Sequence, residues 1–332
     1  MYFPMSRFAF RKPVWLAAAA AGMLALLAYP AVAASRVATT HASLTTLRIA
    51  YNPNATNTSI IVAQQQGYFK KYGLNVKLTA STATTNLLPA LGKQFDLVGA
   101  GASGILQFAS QGYKPILVSA ETVENATTLR NTWLIGNKDI TSISQLAGKT
   151  IGATSTTSTQ WEGLLNMLRI VGISQSQVHF VQVPFADVQS DLQSGAIDAG
   201  IVISPFGPLL LKAGYNDLGD PAEAPVNNDL ELSIGWVAYA PWAYSHEKVL
   251  KEFQEAQWAA LHWMHTHDAQ ARQLLETQFQ LSATAAAAYP LTKYVSFAVK
   301  QSYIRDWIAP LKAVGALPGN FNVPIKTLVY TP

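Results

Sequence analysis

Apolar and polar positions follow two rhythms along this chain, short runs of period two and longer runs of period three to four, and the two alternate. Leu47-Arg-Ile-Ala-Tyr51 reads as a strand, and the polar loop Asn52-Pro-Asn-Ala-Thr-Asn57 separates it from a helical pattern over 59–72 that stops at Gly73. Leu74-Asn-Val-Lys-Leu78 is the next strand, followed by helices near 85–92 and 103–111 and strands at 95–98 and 116–119. A second set runs from about Ser142 to Tyr215, with strands at 150–153, 179–183 and 199–203 and helices at 159–171 and 187–193. A strand at 235–239 then leads into a mostly helical stretch rich in Ala, Gln and Trp. This alternation predicts mainly parallel sheets with helices on both faces.

Within that pattern there is an internal echo. Leu91-Gly-Lys-Gln-Phe-Asp96-Leu-Val-Gly resembles Leu192-Gln-Ser-Gly-Ala-Ile-Asp198-Ala-Gly. Both read as a helix end, a tight turn, an aspartate and a buried strand, which suggests two similarly built lobes. At 332 residues the chain has room for two such units, each with its own core.

Charge changes the picture at the N-terminus. Arg7, Arg11 and Lys12 precede an apolar run from Val14 to Tyr29, then Pro30 and the small-residue triplet Ala31-Val32-Ala33. This is the layout of a secretory signal peptide cut after Ala33, with a retained membrane anchor as the alternative. Its removal takes away three of the 23 basic residues and none of the 19 acidic ones, so the net charge falls from +4 to +1. No basic cluster remains to hold a nucleic acid. There is no cysteine, which excludes disulfides, thiolate metal sites, thiol nucleophiles and a lipid-attachment site. A periplasmic, freely soluble, monomeric protein is expected.

The chain offers binding groups rather than reacting groups. Ala153-Thr-Ser-Thr-Thr-Ser-Thr159-Gln160-Trp161-Glu162 is the most informative segment: Thr159 and Glu162 fit a capping box that starts a helix at Gln160. The hydroxyls of Ser155, Thr156, Thr157 and Thr159, with the free N–H groups of that first turn, suit an anionic or strongly polar small ligand. Asn52, Asn54, Thr56 and Asn57 also follow a strand, as ligand groups or as plain turn formers. Arg130, Asn131 and Trp133 offer a guanidinium and a stacking ring, or a surface Arg beside a packed Trp. Gly99-Ala-Gly101-Ala-Ser103-Gly104 matches a dinucleotide-loop spacing but sits too late in the fold, so a small-residue loop exposing backbone N–H groups is preferred. His262, His265 and His267 lack the partners a metal needs, so neither metal nor cofactor is expected. No serine elbow, Walker loop or paired catalytic carboxylate is evident, and no enzymatic activity is expected.

Taken in order, L-R-I-A-Y-N-P-N (47–54), A-Q-Q-Q-G-Y-F-K-K-Y-G-L-N-V (63–76), F-D-L-V-G-A-G (95–101), I-S-Q-L-A-G-K-T-I-G (143–152) and V-Q-S-D-L-Q-S-G-A-I-D-A (188–199) resemble the periplasmic solute-binding proteins of ABC transporters, in the aliphatic-sulfonate, taurine, nitrate and thiamine-precursor group. The resemblance implies a two-lobed α/β periplasmic-binding-protein fold of type II, each lobe a mostly parallel sheet flanked by helices, with the ligand in the cleft between. It divides the chain into a signal peptide (1–33), a leader (34–45), lobe one (46–135 and 233–332) and lobe two (136–232). Carried over residue by residue, it adds Phe185, Ser204, Phe206 and Trp236 to the ligand wall and gives Gly101–Ser103 the role of a glycine turn. It implies a small sulfonate- or taurine-like ligand and a cognate permease with its ATPase as partners. A pyrimidine, aromatic-acid or nitrate binder, or an exported enzyme using Ser103, Asp187 or Glu162, is the alternative. One related enzyme class makes the thiamine pyrimidine with a cysteine-rich motif, from which this cysteine-free chain departs.

Overall fold

The computed structural model describes residues 43–125, 127–223 and 230–331; the expected signal segment and its cleavage site lie outside them. Two five-stranded sheets form. The first takes β1 (Thr45–Tyr51), β2 (Leu74–Ala80), β3 (Leu97–Ala100), β4 (Pro115–Glu124) and, much later in the chain, β10 (Glu231–Tyr239), in the order β2-β1-β3-β10-β4. The second takes β5 (Thr132–Gly136), β6 (Thr150–Ala153), β7 (His179–Gln182), β8 (Ala199–Ile203) and β9 (Asn216–Gly219), in the order β7-β6-β8-β5-β9.

The sheets copy one another. In each, the fourth strand, β10 or β5, is antiparallel to both neighbours, while the remaining strands share one direction. β5 joins the second sheet as soon as the chain leaves the first, and β10 returns after the second is built. The first crossing therefore falls between Glu124 and Thr132, ahead of the division expected at 135–136.

The internal echo has a structural cause. The carboxylate of Asp96 accepts the Arg48 N–H at 2.8 Å, and that of Asp198 accepts the Thr150 N–H at 2.9 Å. In return the Asp96 N–H donates to the Arg48 carbonyl and the Asp198 N–H to the Thr150 carbonyl. Each aspartate thus locks the third strand in its sheet's order, β3 or β8, to the second, β1 or β6. A cation steadies each one, Arg48 at 2.6 Å and Lys149 at 3.3 Å.

Helices cover both faces of each sheet. α1 (Thr58–Gln65), α2 (Tyr68–Lys71) and α8 (Glu247–Thr266) close one face of the first. α8 does so because Val249, Leu250, Phe253, Ala256, Gln257, Ala260, Leu261 and Met264 recur every three to four residues and are buried. The single helix expected over 59–72 is two, because Gly67 takes φ +73° between them. The helix expected near 85–92 is a 3-10 segment over Thr84–Ala90 that contains Pro89. α3 (Ala102–Ser110), α11 (Ser302–Arg305) and α12 (Ile308–Ala313) cover the opposite face, with Trp307 fully buried. α4 (Thr159–Ile170) covers one face of the second sheet, and α5 (Val188–Ser194) and α6 (Phe206–Lys212) the other. α7 (Ala240–Ser245), α9 (Asp268–Phe279) and α10 (Ala283–Ala288) complete the fold.

α4 lies hard against the chain crossing. A Cβ added at Gly163 would sit 1.6 Å from the Pro221 carbonyl oxygen, so only glycine lets this helix seat. Gly163→Ala is expected to destabilise the fold by about 3 kcal/mol, the upper range for overpacking, read as a lowered urea midpoint.

Candidate functional site: the cleft between the sheets

Six loops leave the C-terminal ends of parallel strands and face one another. From the first sheet come the segments after β1 (52–57), β2 (81–85) and β3 (101–103). From the second come those after β6 (154–158), β7 (183–186) and β8 (204–205). Open α/β sheets place ligands at such strand ends. The space divides into two connected compartments. One, with about 620 Å³ of free space including open solvent, is lined mainly by Asn52, Asn54, Thr82–Thr85, Gly101, Ser155, Ser158, Thr159 and Gln160. The other, with about 790 Å³ on the same measure, is walled by Pro184, Phe185, Ala186, Phe206, Phe279 and Leu281. Asn52, Asn54, Thr82, Thr154, Phe185 and Ile203 belong to both. Among the described residues, none that lines either compartment carries a charged side chain.

The polar compartment is built by local chemistry. Ser158, rather than Thr159, is the N-cap of α4: its hydroxyl accepts the Trp161 N–H at 3.1 Å, and the helix begins at Thr159. The expected Thr159–Glu162 capping box is therefore absent. Thr159 instead accepts the Ser103 N–H at 3.3 Å, and Glu162 accepts from Gln107 of α3 at 3.1 Å. The N–H groups of Thr159 and Gln160 belong to the first turn, which has no carbonyl one turn back to accept them. They carry the positive end of the helix dipole to the cleft wall. Ser155 and Thr157 share a hydroxyl bond of 2.8 Å, and Thr157 donates across the cleft to Asn86 at 3.2 Å. Asn54 caps the 3-10 turn over Ala55–Asn57 through the Thr56 N–H, and Asn52 donates to the Thr82 carbonyl at 3.1 Å.

Of the residues proposed from sequence, Asn52, Asn54, Thr56, Gly101, Ser155, Thr159, Gln160, Phe185, Ser204 and Phe206 meet at this cleft. Others lie apart from its wall. Arg130 is held in a two-pronged pair with Asp217 at 2.6 and 2.7 Å, with its guanidinium over the Trp133 ring. Trp133 packs on Gly207, where a Cβ would lie 2.3 Å from the indole. Asn131 and Asn57 are fully buried, Asn57 donating to the Asn52 carbonyl beneath the loop. Ser103 offers its N–H to Thr159 while its side chain is buried, Thr156 points to solvent, and Thr157 is spent on the bridge to Asn86. Trp236 is wholly inside the first core, donating to Glu121 at 2.9 Å. Sequence separation hides these partners: nothing near Arg130 or Trp236 announces Asp217 or Glu121.

Missing from the sequence reading are the 81–85 loop (Ser-Thr-Ala-Thr-Thr) and the Phe279–Leu281 wall. The first carries the same sign as the 154–158 loop, hydroxyl residues directly after a strand. The second arrives from the end of α9 and has no local sign.

The comparisons agree with this architecture. The family described as "NMT1/THI5 like" matches residues 54–271. No curated protein sequence matches. The aliphatic sulphonate binding protein SsuA of Escherichia coli shares 18% identity, with TM-score 0.65 over 87% of this chain and 93% of its own. The alkanesulfonate-binding SsuA of Xanthomonas axonopodis pv. citri, bound to MOPS, gives 18% and 0.67 over 87% and 99%. The nitrate-binding protein NrtA of Synechocystis gives 14% and 0.64 over 83% of each chain. At these identities the likeness is one of fold. Two sheets of matching strand order, a cleft at their strand ends and a family match over most of the described residues lead to one assignment: the chain belongs to the NMT1/THI5-like family and has the periplasmic-binding-protein fold.

Proposed function

We propose that this protein is the extracytoplasmic substrate-binding component of an ABC importer, capturing a small organic molecule with a polar or anionic head, best represented by a sulfonate, as its lobes close. One observation carries this reading: the uncharged wall of hydroxyls, amides and first-turn N–H groups beside an aromatic compartment. An oxyanion there takes hydrogen bonds from neutral donors and the α4 dipole, and the organic body fills the space against Phe185, Phe206 and Phe279. The relatives that bind sulfonates and nitrate on this fold support the same ligand group. The division into lobes follows the sheets, the periplasmic location follows from the signal-like N-terminus, and a permease with its ATPase completes the assignment as partner. Among the described residues the wall offers no candidate nucleophile paired with a base, which favours capture over turnover.

The wall also ranks ligands. Among the described residues it holds no carboxylate for an ammonium group, so taurine is expected to bind at least tenfold more weakly than the alkanesulfonate of equal length. Titration calorimetry across alkanesulfonates, an arylsulfonate, taurine, nitrate, aromatic acids and pyrimidines tests the proposal. Saturable binding of a sulfonate supports it, and silence across the panel refutes the ligand class. Phe279→Ala is expected to weaken hexanesulfonate about tenfold and leave methanesulfonate nearly unchanged, because Phe279 lines the aromatic compartment and not the polar one, so only the longer chain reaches that ring.

A further inference from the structure

Three hydrogen bonds join the two sheets along one line beside the cleft. Thr157 donates to Asn86, the Ser103 N–H to Thr159, and Gln107 to Glu162. The last two connect α3 with α4 at i, i+4 spacing on one helix and i, i+3 on the other, so the helices meet as a zipper. Gly101 makes the approach possible, since a Cβ there would lie 2.3 Å from the Thr159 hydroxyl oxygen.

Glu162 is the odd member of this seam. It is 7% exposed, and its one hydrogen-bond partner there is a neutral amide. α3 contributes no titratable group. On α12, Lys312 is occupied by the Phe321 carbonyl at 2.9 Å. Next to α12, Arg305 pairs with Asp306, and Trp307 donates to Glu231 at 3.0 Å. On α4 itself, Arg169 binds the Asn166 amide. At the crossing, Asp220 lies against Glu124, with the Arg130 guanidinium at 3.9 Å. Among the described residues no cation is therefore paired with Glu162.

The geometry points to the α3–α4 seam as a proton-linked latch on lobe closure, in which Glu162 takes up a proton when it packs against Gln107 and gives it up to water when the lobes part. The latch regulates the ligand cleft described above and rests on that reading for its purpose, though not for its test. Burial holds the Glu162 carboxyl up at about 7, whereas exposed by lobe opening it returns to its ordinary value of 4.5. Between those values the closed form carries one more proton than the open form, so falling pH favours closure. The closed-to-open ratio changes up to tenfold per pH unit across that window and is flat above it. Acid capture and neutral release follow.

Small-angle scattering of the full chain without any ligand tests this. The radius of gyration is expected to fall as pH drops from 7.5 to 5. Glu162→Gln, which mimics the protonated acid, is expected to stay compact throughout, and Gln107→Glu to be more expanded than wild type above pH 7. Circular dichroism of each variant confirms that it is folded. A wild-type radius independent of pH overturns the latch. So does an unchanged slope in Glu162→Gln that disappears in Asp220→Asn, which places the proton at the crossing instead. A pH-driven change with a silent calorimetric panel refutes the ligand class alone, and sulfonate binding without the change refutes the latch alone.

Discussion

Gly101→Ala is expected to cost this protein most of its ligand affinity while leaving each lobe folded. The added methyl group meets the Thr159 hydroxyl at 2.3 Å and the Ser233 carbonyl at 3.3 Å. Thr159 is almost fully buried and its oxygen accepts the Ser103 N–H, so turning it away orphans that donor. The alternative is that the lobes stay apart. Overpacking of this kind costs about 1–3 kcal/mol, which is roughly 5- to 150-fold in the closure equilibrium. The severe clash, with Thr159, lies between the sheets, and the Ser233 carbonyl of β10 in Gly101's own sheet is the milder contact, so the thermal midpoint should move little while calorimetric affinity collapses. Adding Thr159→Ala removes the oxygen that clashes, and the double variant should recover part of the loss. A lone Gly101→Ala that binds like wild type removes the seam from the closing mechanism.

The second large effect lies in the first core. Glu121 is fully buried, and its carboxyl receives hydrogen bonds from the Ser59 hydroxyl, from Trp236 at 2.9 Å and from Gln257 at 2.6 Å. Burial raises it to about 7 despite those three donors. Since the folded value lies above the ordinary 4.5, the folded protein holds an extra proton in between. The contribution to stability is then complete below pH 4.5 and is lost as pH rises through 7, at up to about 1.4 kcal/mol per unit. Glu162 acts in the same window. Urea denaturation between pH 5 and 8 should show stability falling with pH, with a shallower slope in Glu121→Gln. Glu121→Ala leaves three buried donors without an acceptor and should cost about 3–5 kcal/mol. Stability that rises over this interval contradicts the assignment.

Much of the fold is legible in the sequence because it rests on local signals. Strands β6 and β8 fall where the apolar runs place them, and the paired aspartates mark equivalent strands in the two sheets. β5 and β9 do not stand out. β5 is only five residues, Thr132–Gly136, wholly buried between β8 and β9, with no alternation to distinguish it from the loop before it. The site divides in the same way. Hydroxyl-rich loops directly after strands, such as 154–158, declare themselves through turn and cap chemistry. Whether a given side chain faces the cleft depends on partners far along the chain. Arg130 pairs with Asp217 and Trp236 with Glu121, and both lie away from the cleft wall for that reason. Ser158 takes the cap from Thr159, which frees Thr159 to join the lobes and Glu162 to meet Gln107.

In the proposed function one ligand occupies both compartments, its head at the start of α4 and its body against the aromatic wall. A crystal structure of the protein with hexanesulfonate is the decisive test. Sulfonate oxygens are expected within about 3.2 Å of the Thr159 and Gln160 N–H groups, with the alkyl chain running past Phe185 toward Phe206 and Phe279. Density for the ligand outside the cleft, or a sulfonate held by a charged side chain, would contradict it.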